Sequence, residues 1–156
     1  MTIRRAVPQE AETLWDVRNQ AIRHGCQTSY AADVIARWTP ENMPESYRRC
    51  VIENPFFVAE DKSGNVVATG YLDLMQHSIE AIFTLPSASG QGYARQIMAV
   101  LLEEARGREI PHVTLAATPN AQRFYEKMGF VTVKESLYPS RLAETDLRCF
   151  DMTLAL

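Results

Sequence analysis

Two glycines separated by one residue, Gly90 and Gly92, lie where an apolar run from Ile79 to Leu85 gives way to an amphipathic stretch from Gly92 to Arg106. This order predicts a strand, a tight turn and a helix. The first N–H groups of a helix have no partner within it, and the helix dipole adds partial positive charge at the same end. The pattern therefore predicts an anion site, for which diphosphate is the usual ligand.

The residues around the glycines disfavour two common nucleotide sites. A Rossmann dinucleotide site needs a third glycine and an early strand–helix–strand unit, but Arg95 and Gln96 occupy that region, and an antiparallel meander precedes the turn. A Walker loop needs Lys followed by Ser or Thr after the glycines, and neither pair follows them. Two other interpretations of the turn remain open: an ordinary strand-to-helix connection that binds no ligand and, more remotely, a dinucleotide site.

A second motif follows the predicted strand His112–Ala117. Read with the first, it makes the chain resemble the GNAT superfamily of acyl-CoA-dependent N-acetyltransferases. The phosphate motif of that family is Arg or Gln, two residues, Gly, one residue, then Gly or Ala, and Ser89–Ala94 matches it except at Ser89. The family pattern Ala-x-x-Phe-Tyr-Glu-Lys-x-Gly-Phe is matched in full by Ala121–Phe130.

The resemblance implies acetyl-CoA as the cofactor, used as a co-substrate. The edge of the strand before the turn pairs with the pantetheine arm in that family, which corresponds to Ile82, Phe83 and Thr84. Asn120 has two open roles, one as a cofactor contact and one as the residue that starts a helix. The residues implied to hold the diphosphate, through backbone N–H groups, are Gly90, Gln91, Gly92, Tyr93, Ala94 and Arg95.

Tyr125 corresponds to the general acid of the family, which protonates the departing CoA thiolate. A phenol, with a pKa of ~10, can donate this proton while staying protonated at neutral pH. The alternative is a core aromatic residue beside Phe124.

Glu80 is the candidate general base, because it is a carboxylate within an otherwise apolar strand and near the expected acyl end. Burial would raise its pKa toward a useful range. A solvated glutamate is the alternative for this residue. His77 is the second choice for the base, and the acceptor could also arrive deprotonated without one.

The resemblance predicts transfer of an acetyl group to a primary amine by direct attack. The three cysteines lie outside both motifs, so a covalent acyl-enzyme is not expected. A small-molecule amine and a protein amine are both open as acceptors, and the segments 11–52 and 136–146 are implied to wall their pocket. A non-catalytic acyl-CoA-binding or sensor module is the alternative function. The candidate lining residues are Trp15, Tyr30, Trp38 and Tyr138.

The remaining elements follow from hydrophobic periodicity and from Gly and Pro punctuation. The resemblance implies an α+β fold of three layers, in which helices flank a mixed, mostly antiparallel sheet of about seven strands, splayed between those ending near Leu85 and Ala117. Residues Ser136–Asp146 are predicted to form an irregular loop. The predicted strands are Thr2–Ala6, Phe56–Glu60, Val66–Leu74, Ser78–Leu85, His112–Ala117, Phe130–Lys134 and Arg148–Leu154, and helices are predicted to begin near Pro8, Ala32, Pro44, Gly92 and Ala121.

The chain length of 156 residues predicts one domain, 1–156. A net charge of −3 disfavours nucleic acid as a partner, and no apolar run is long enough to span a membrane. Cys26, Cys50 and Cys149 are too widely spaced for structural zinc, so no metal site is predicted and a cytoplasmic location is expected. The resemblance also allows a homodimer.

Overall fold

The computed structural model describes residues 2–156. The strands are β1 (Thr2–Arg5), β2 (Phe56–Glu60), β3 (Val66–Asp73), β4 (Ser78–Thr84), β5 (His112–Ala117), β6 (Val131–Ser140) and β7 (Thr145–Ala155). The helices are α1 (Ala11–Gly25), α2 (Ala32–Trp38), α3 (Glu45–Glu53), α4 (Tyr93–Gly107) and α5 (Gln122–Lys127). The seven strands form one sheet in the order β1-β2-β3-β4-β5-β7-β6, in which β4 and β5 run parallel and the other neighbours antiparallel.

Helices cover both faces of this sheet, as the alternating side chains of β2 show. Phe56 and Val58 pack with α1 and α3 on one face, whereas Phe57 and Ala59 join the apolar cluster of α4 on the other. The three-layer, mixed-sheet prediction is therefore confirmed. No helix within residues 2–156 has both the length and the apolar character needed to cross a membrane.

β4 and β5 separate soon after they begin. Ser78 lies opposite Thr114, whose N–H donates to the His77 carbonyl oxygen over 3.1 Å, and no later pair joins the two strands among residues 2–156. The predicted splay is confirmed. Because the strands diverge, one backbone edge of β4 is left without a neighbouring strand, and side chains from both faces of the sheet can reach the gap.

A β-bulge in β4 changes which residues face the gap. Tyr71 of β3 lies opposite Glu80, and Thr69 lies opposite Phe83, so β4 carries one extra residue. Ala81 takes a positive φ of 55° at this point. As a result, Glu80 and Phe83, three residues apart, both reach the side of the sheet covered by α1.

The predicted loop over Ser136–Asp146 is wrong. β6 and β7 form a long hairpin joined by residues 141–144. Pro139 favours a loop in the sequence because it has no N–H for a ladder, but β6 is an edge strand with one neighbour, where a proline is tolerated. The first helix also begins later than predicted, at Ala11, after a single 3₁₀ turn over Pro8–Glu10.

Candidate active site

The glycine turn presents a row of unpaired backbone donors. Gly92 is the N-cap of α4 with φ 88°, and Gly90 has φ 77°, a left-handed region that side chains disfavour. The helix bonds begin with the Gln96 N–H, which donates to the Gly92 carbonyl oxygen over 3.1 Å. Within residues 2–156, the N–H groups from 90 to 95 have no protein acceptor. This row lies at the positive end of a 15-residue helix, so the turn can bind an anion.

The conformation of the turn, not crowding by protein, requires its glycines. No protein atom within residues 2–156 lies within 4 Å of a Cβ built at Gly90 or Gly92. Tyr93 contributes its amide to the turn while its side chain is buried in the core beneath α4. Ser89, the departure from the family motif, donates its hydroxyl to the Pro86 carbonyl oxygen over 3.0 Å and so braces the turn.

The exposed side chains of the turn surround these amides. Gln91 and Arg95 are exposed, and Ala94 is half-buried. Arg95 makes no ion pair with a carboxylate of residues 2–156, so its charge is available beside the turn. The exposed Gln91 and Arg95 side chains therefore flank the free amides of the six residues predicted to hold a diphosphate.

A first cavity of about 210 Å³ fills the splay and connects β4 to α5. Ile82, Phe83 and Thr84 line it, together with Tyr125 and Asn120. The structure therefore brings the predicted cofactor strand and the predicted acid into one cavity. Asn120 does not start α5, whose N-cap is Ala121, so its helix-start role is wrong. Its side-chain oxygen instead accepts a hydrogen bond of 3.4 Å from Ser29 beyond α1.

Tyr125 is packed as a core residue and also lines the first cavity. Its ring makes edge contacts with Phe124 and Phe130, with centroids 5.2 and 6.0 Å away. Burial, and next the charge of Glu80, raise the pKa of Tyr125 above its usual range. The phenol therefore stays protonated at neutral pH, as a proton donor must. The two edge contacts fix the position of the ring in the wall of the first cavity.

Glu80 lines a second cavity, on the α1 side of the sheet. Burial raises the pKa of its carboxyl group; the Ser78 hydroxyl opposes this and the negative charge of Asp73 adds to it. Glu80 is therefore the desolvated carboxylate rather than the solvated one. His77, the second choice for a base, has φ 53° in the turn before β4 and lines neither of these two cavities.

The second cavity has a volume of about 410 Å³ and adjoins the first. Ala81, Phe83, Ala116 and Thr118 line both cavities, so the two meet where β4 and β5 part. The bulge at Ala81 lies at this junction. All four aromatic residues predicted to line an acceptor pocket contribute to its wall, namely Trp15, Tyr30, Trp38 and Tyr138.

Sequence reasoning missed Arg18 and Tyr47, which also line the second cavity. Arg18 is four residues after Leu14 and four before Ile22, both fully buried on the inner face of α1. A charged residue in that register is the sequence signal that could have found it. Tyr47 carries no such signal, because a tyrosine on the apolar face of a short helix is an ordinary core residue.

Comparison with known proteins gives a family. A model described as an acetyltransferase (GNAT) domain matches residues 26–155. The uncharacterized N-acetyltransferase ycf52 of Gracilaria tenuistipitata var. liui is 36% identical over 47 residues, which are 30% of this chain. The matched part is 26% of that protein, so the chain spans about a quarter of that relative.

Solved structures share the fold at low identity. A GCN5-related N-acetyltransferase from Rhodopseudomonas palustris, titled aminotransferase class-II, has a TM-score of 0.90 at 18% identity, over 99% of this chain and 95% of that chain. The PaiA N-acetyltransferase of Thermoplasma acidophilum, solved in complex with coenzyme A, has a TM-score of 0.81 at 14% identity, over 99% and 98% of the chains. The chain belongs to the GNAT acetyltransferase family.

Proposed function

We propose that this protein is an N-acetyltransferase that moves an acetyl group from acetyl-CoA to a primary amine. The observation that carries the proposal is the junction of the two cavities in the splay. The first cavity, lined by Ile82 to Thr84 of the strand that leads to the turn, lies on one side of that junction, and Glu80 lines the cavity on the other. Two substrates held there would meet end to end, and such positioning supplies much of the acceleration in a direct transfer.

The residues of this chain fit acetyl-CoA, which supplies the activated acetyl group when bound. A diphosphate needs several N–H donors without partners, and the turn from Gly90 to Arg95 offers six consecutive ones. An amide-containing arm needs a strand edge without a neighbour, and β4 offers one beyond Ser78. The first cavity, at about 210 Å³, suits a narrow chain and not a second nucleotide.

Glu80 is proposed as the general base. As the nitrogen of the amine forms its bond to the acetyl carbon, Glu80 takes the proton that the nitrogen loses, directly or through one water molecule. Its burial supports this role, because a raised pKa makes the carboxylate a stronger base. Tyr71, directly opposite on β3, packs in parallel on Phe56 with ring centroids 4.2 Å apart and flanks the carboxylate with a rigid wall.

Tyr125 is proposed as the general acid. As the carbon–sulfur bond breaks, the phenol donates its proton to the sulfur, and solvent later returns a proton to the oxygen. A thiol has a pKa of ~8.5, so the phenol is the weaker acid and its contribution is a hydrogen bond that becomes a proton transfer as charge develops on sulfur. The raised pKa of Tyr125 keeps the donor loaded throughout the neutral range.

The cysteine beside the first cavity does not favour a covalent route. Cys26 is buried there, and desolvation raises the pKa of its thiol to about 11. The nucleophilic form of cysteine is the thiolate, and a thiol in this state supplies little of it at neutral pH. Direct attack by the amine therefore remains the proposed route.

Acetyl transfer to a panel of primary amines, followed by mass spectrometry of the product and by release of free thiol, tests the proposal. The expected result is a product 42 Da heavier than its amine, formed by the native protein and strongly reduced in Tyr125→Phe. Tight binding of acetyl-CoA without turnover on any amine would instead favour the non-catalytic sensor.

A further inference from the structure

A buried arginine lies in the wall of the second cavity without an anion beside it. Arg18 is 9% exposed, and its Nη1 donates to the Asn19 side-chain oxygen over 2.7 Å and to the Trp38 carbonyl oxygen over 3.1 Å. No carboxylate of residues 2–156 lies within 4.0 Å of its guanidinium nitrogens. Nε and Nη2 have no acceptor in this part of the chain, so half of the guanidinium fork is unused.

The aromatic rings around Arg18 stabilise its positive charge, but they do not supply a negative charge to pair with it. Its Cζ lies 4.2 Å from the centroid of the Trp15 ring and 6.0 Å from that of Trp38, so two aromatic faces offset part of the desolvation. Burial lowers the pKa of Arg18 to about 10, which still leaves the group charged at neutral pH. A charge that stays buried and unpaired favours an anionic ligand.

A second polar group in the same cavity is also without a partner. The Tyr47 hydroxyl is buried and makes no hydrogen bond with residues 2–156. The Tyr47 ring makes an edge contact with Trp15, with centroids 5.1 Å apart, so Trp15 touches both Tyr47 and Arg18. Arg18 and Tyr47 therefore contact one tryptophan, and the guanidinium and the buried hydroxyl are both donors of the kind that an oxyanion accepts from.

We infer that the acceptor is a free amino acid whose carboxylate binds Arg18 while its amine faces Glu80. The inference rests on the proposed function, since it names the substrate class of that site. A planar carboxylate matches the two free nitrogens of the guanidinium fork, and Tyr47 can donate to the same group. Arg18 and Glu80 line one cavity of about 410 Å³, which suits a zwitterion of amino-acid size.

The rest of the cavity wall indicates an apolar side chain. Tyr30 and Trp38 meet edge to face, with centroids 5.6 Å apart, and Leu142 and Leu147 lie in the same wall. This wall offers an apolar surface for a hydrophobic body. A purely structural role for Arg18 accounts for the bonds of Nη1 to Asn19 and Trp38, whereas Nε and Nη2 have no acceptor among residues 2–156 and are free to bind a ligand.

The experiment compares matched acceptors on the native protein in the presence of acetyl-CoA. The pairs are phenylalanine with 2-phenylethylamine, tryptophan with tryptamine, and methionine with 3-(methylthio)propylamine. Each pair differs in the carboxylate alone, and a paired carboxylate should lower KM roughly 10- to 100-fold. Equal or better turnover of the decarboxylated amines would overturn the inference and leave the proposed function intact.

Variants assign the effect to Arg18. Arg18→Met, which keeps the apolar stem, should raise KM for the amino acids by the same factor, leave the decarboxylated amines unchanged and leave acetyl-CoA affinity unchanged, since Arg18 does not line the first cavity. Arg18→Lys should restore part of the preference, and Arg49→Met, at an exposed site on α3, should change nothing. If Arg18→Met does not fold, the native comparison alone decides.

Calorimetry distinguishes failure of this inference from failure of the proposed function. Amino acids titrated into native protein that already holds CoA should bind more tightly than their decarboxylated partners even without turnover. Binding of acetyl-CoA with no amino-acid preference in either assay overturns the inference. Absence of acetyl-CoA binding overturns the proposed function itself.

Discussion

The two sides of the candidate site use different kinds of polar groups. On the cofactor side, the donors are backbone amides of one short segment, Gly90 to Arg95, and their direction is fixed by two glycine conformations. On the acceptor side, the polar groups are side chains brought together from α1, α3 and β4, namely Arg18, Tyr47 and Glu80. A site made of backbone amides changes only when the conformation of the chain changes. A site made of side chains changes whenever one of those residues is substituted.

Because of this difference, substitutions in the second cavity can change its chemistry while the turn keeps its conformation. The fold is shared with solved structures at 14 and 18% identity, one of them titled as a complex with coenzyme A. The two sides should therefore respond differently to mutation, and the following predictions test that.

The largest effect is expected at Tyr125, the proposed general acid in the wall of the first cavity. Tyr125→Phe should lower kcat on the order of 10²- to 10⁴-fold, because it removes a proton donor. Affinity for acetyl-CoA should be unchanged, since phenylalanine keeps the edge contacts with Phe124 and Phe130. Steady-state kinetics with calorimetry measures both. Unchanged kcat would remove Tyr125 from the chemistry.

On the cofactor side, a change in backbone conformation alone should weaken the binding of acetyl-CoA. Gly92→Val forces a β-branched residue into φ 88° and places a side chain in front of the free amides, so Kd for acetyl-CoA should rise roughly 100-fold. Gly107→Ala is the matched control, because no protein atom within residues 2–156 lies within 4 Å of its Cβ position and its φ is not positive. Equal affinities in the two variants would show that the turn does not hold the diphosphate.

On the acceptor side, the removal of one functional group without a change in size should be enough to lower activity. Glu80→Gln keeps the size of the side chain and removes the base, so kcat/KM at neutral pH should fall about 100-fold. In the native protein, activity should fall as the pH drops through the raised pKa of Glu80, because the carboxyl group is then protonated. The pH profile of Glu80→Gln should lack that acid limb. A retained acid limb in the variant would assign it to another group.

A smaller effect is expected on stability. The pKa of Glu80 is raised in the folded state, so the native protein is favoured while the group is protonated and loses stability as the pH rises through that folded pKa. The Glu80→Gln variant has no carboxyl group to ionise, so it should not show this loss of stability as the pH rises. Its Tm should match the native value near pH 4 and exceed it at pH 8, where the native carboxyl group carries the charge that burial disfavours. Thermal melts at both pH values measure the gap, and an equal gap at both would contradict the burial account.

The same contrast decides what the sequence could reveal. The turn and α4 are predictable, because the glycines and the apolar periodicity around them are local. The splay joins strands far apart in the chain, and only the resemblance to the GNAT family predicts it. The bulge is not, since nothing in the sequence marks Ala81 for a positive φ. The charge of Arg18 in a buried register is visible in the sequence, but its contacts with Trp38 of α2 are not, because they depend on how the two helices pack. Pro139 misleads, because whether a strand is at an edge is a property of the whole sheet.

The most direct test of the account is to titrate the native protein by calorimetry with acetyl-CoA and, separately, with NAD. Both ligands carry an adenosine diphosphate, so the glycine turn alone would bind them alike. The free edge of β4 and the first cavity can accept the arm of acetyl-CoA and offer nothing to nicotinamide. The account predicts saturable binding of acetyl-CoA at least 100-fold tighter than that of NAD. Equal binding of the two, or heat from NAD alone, would contradict it.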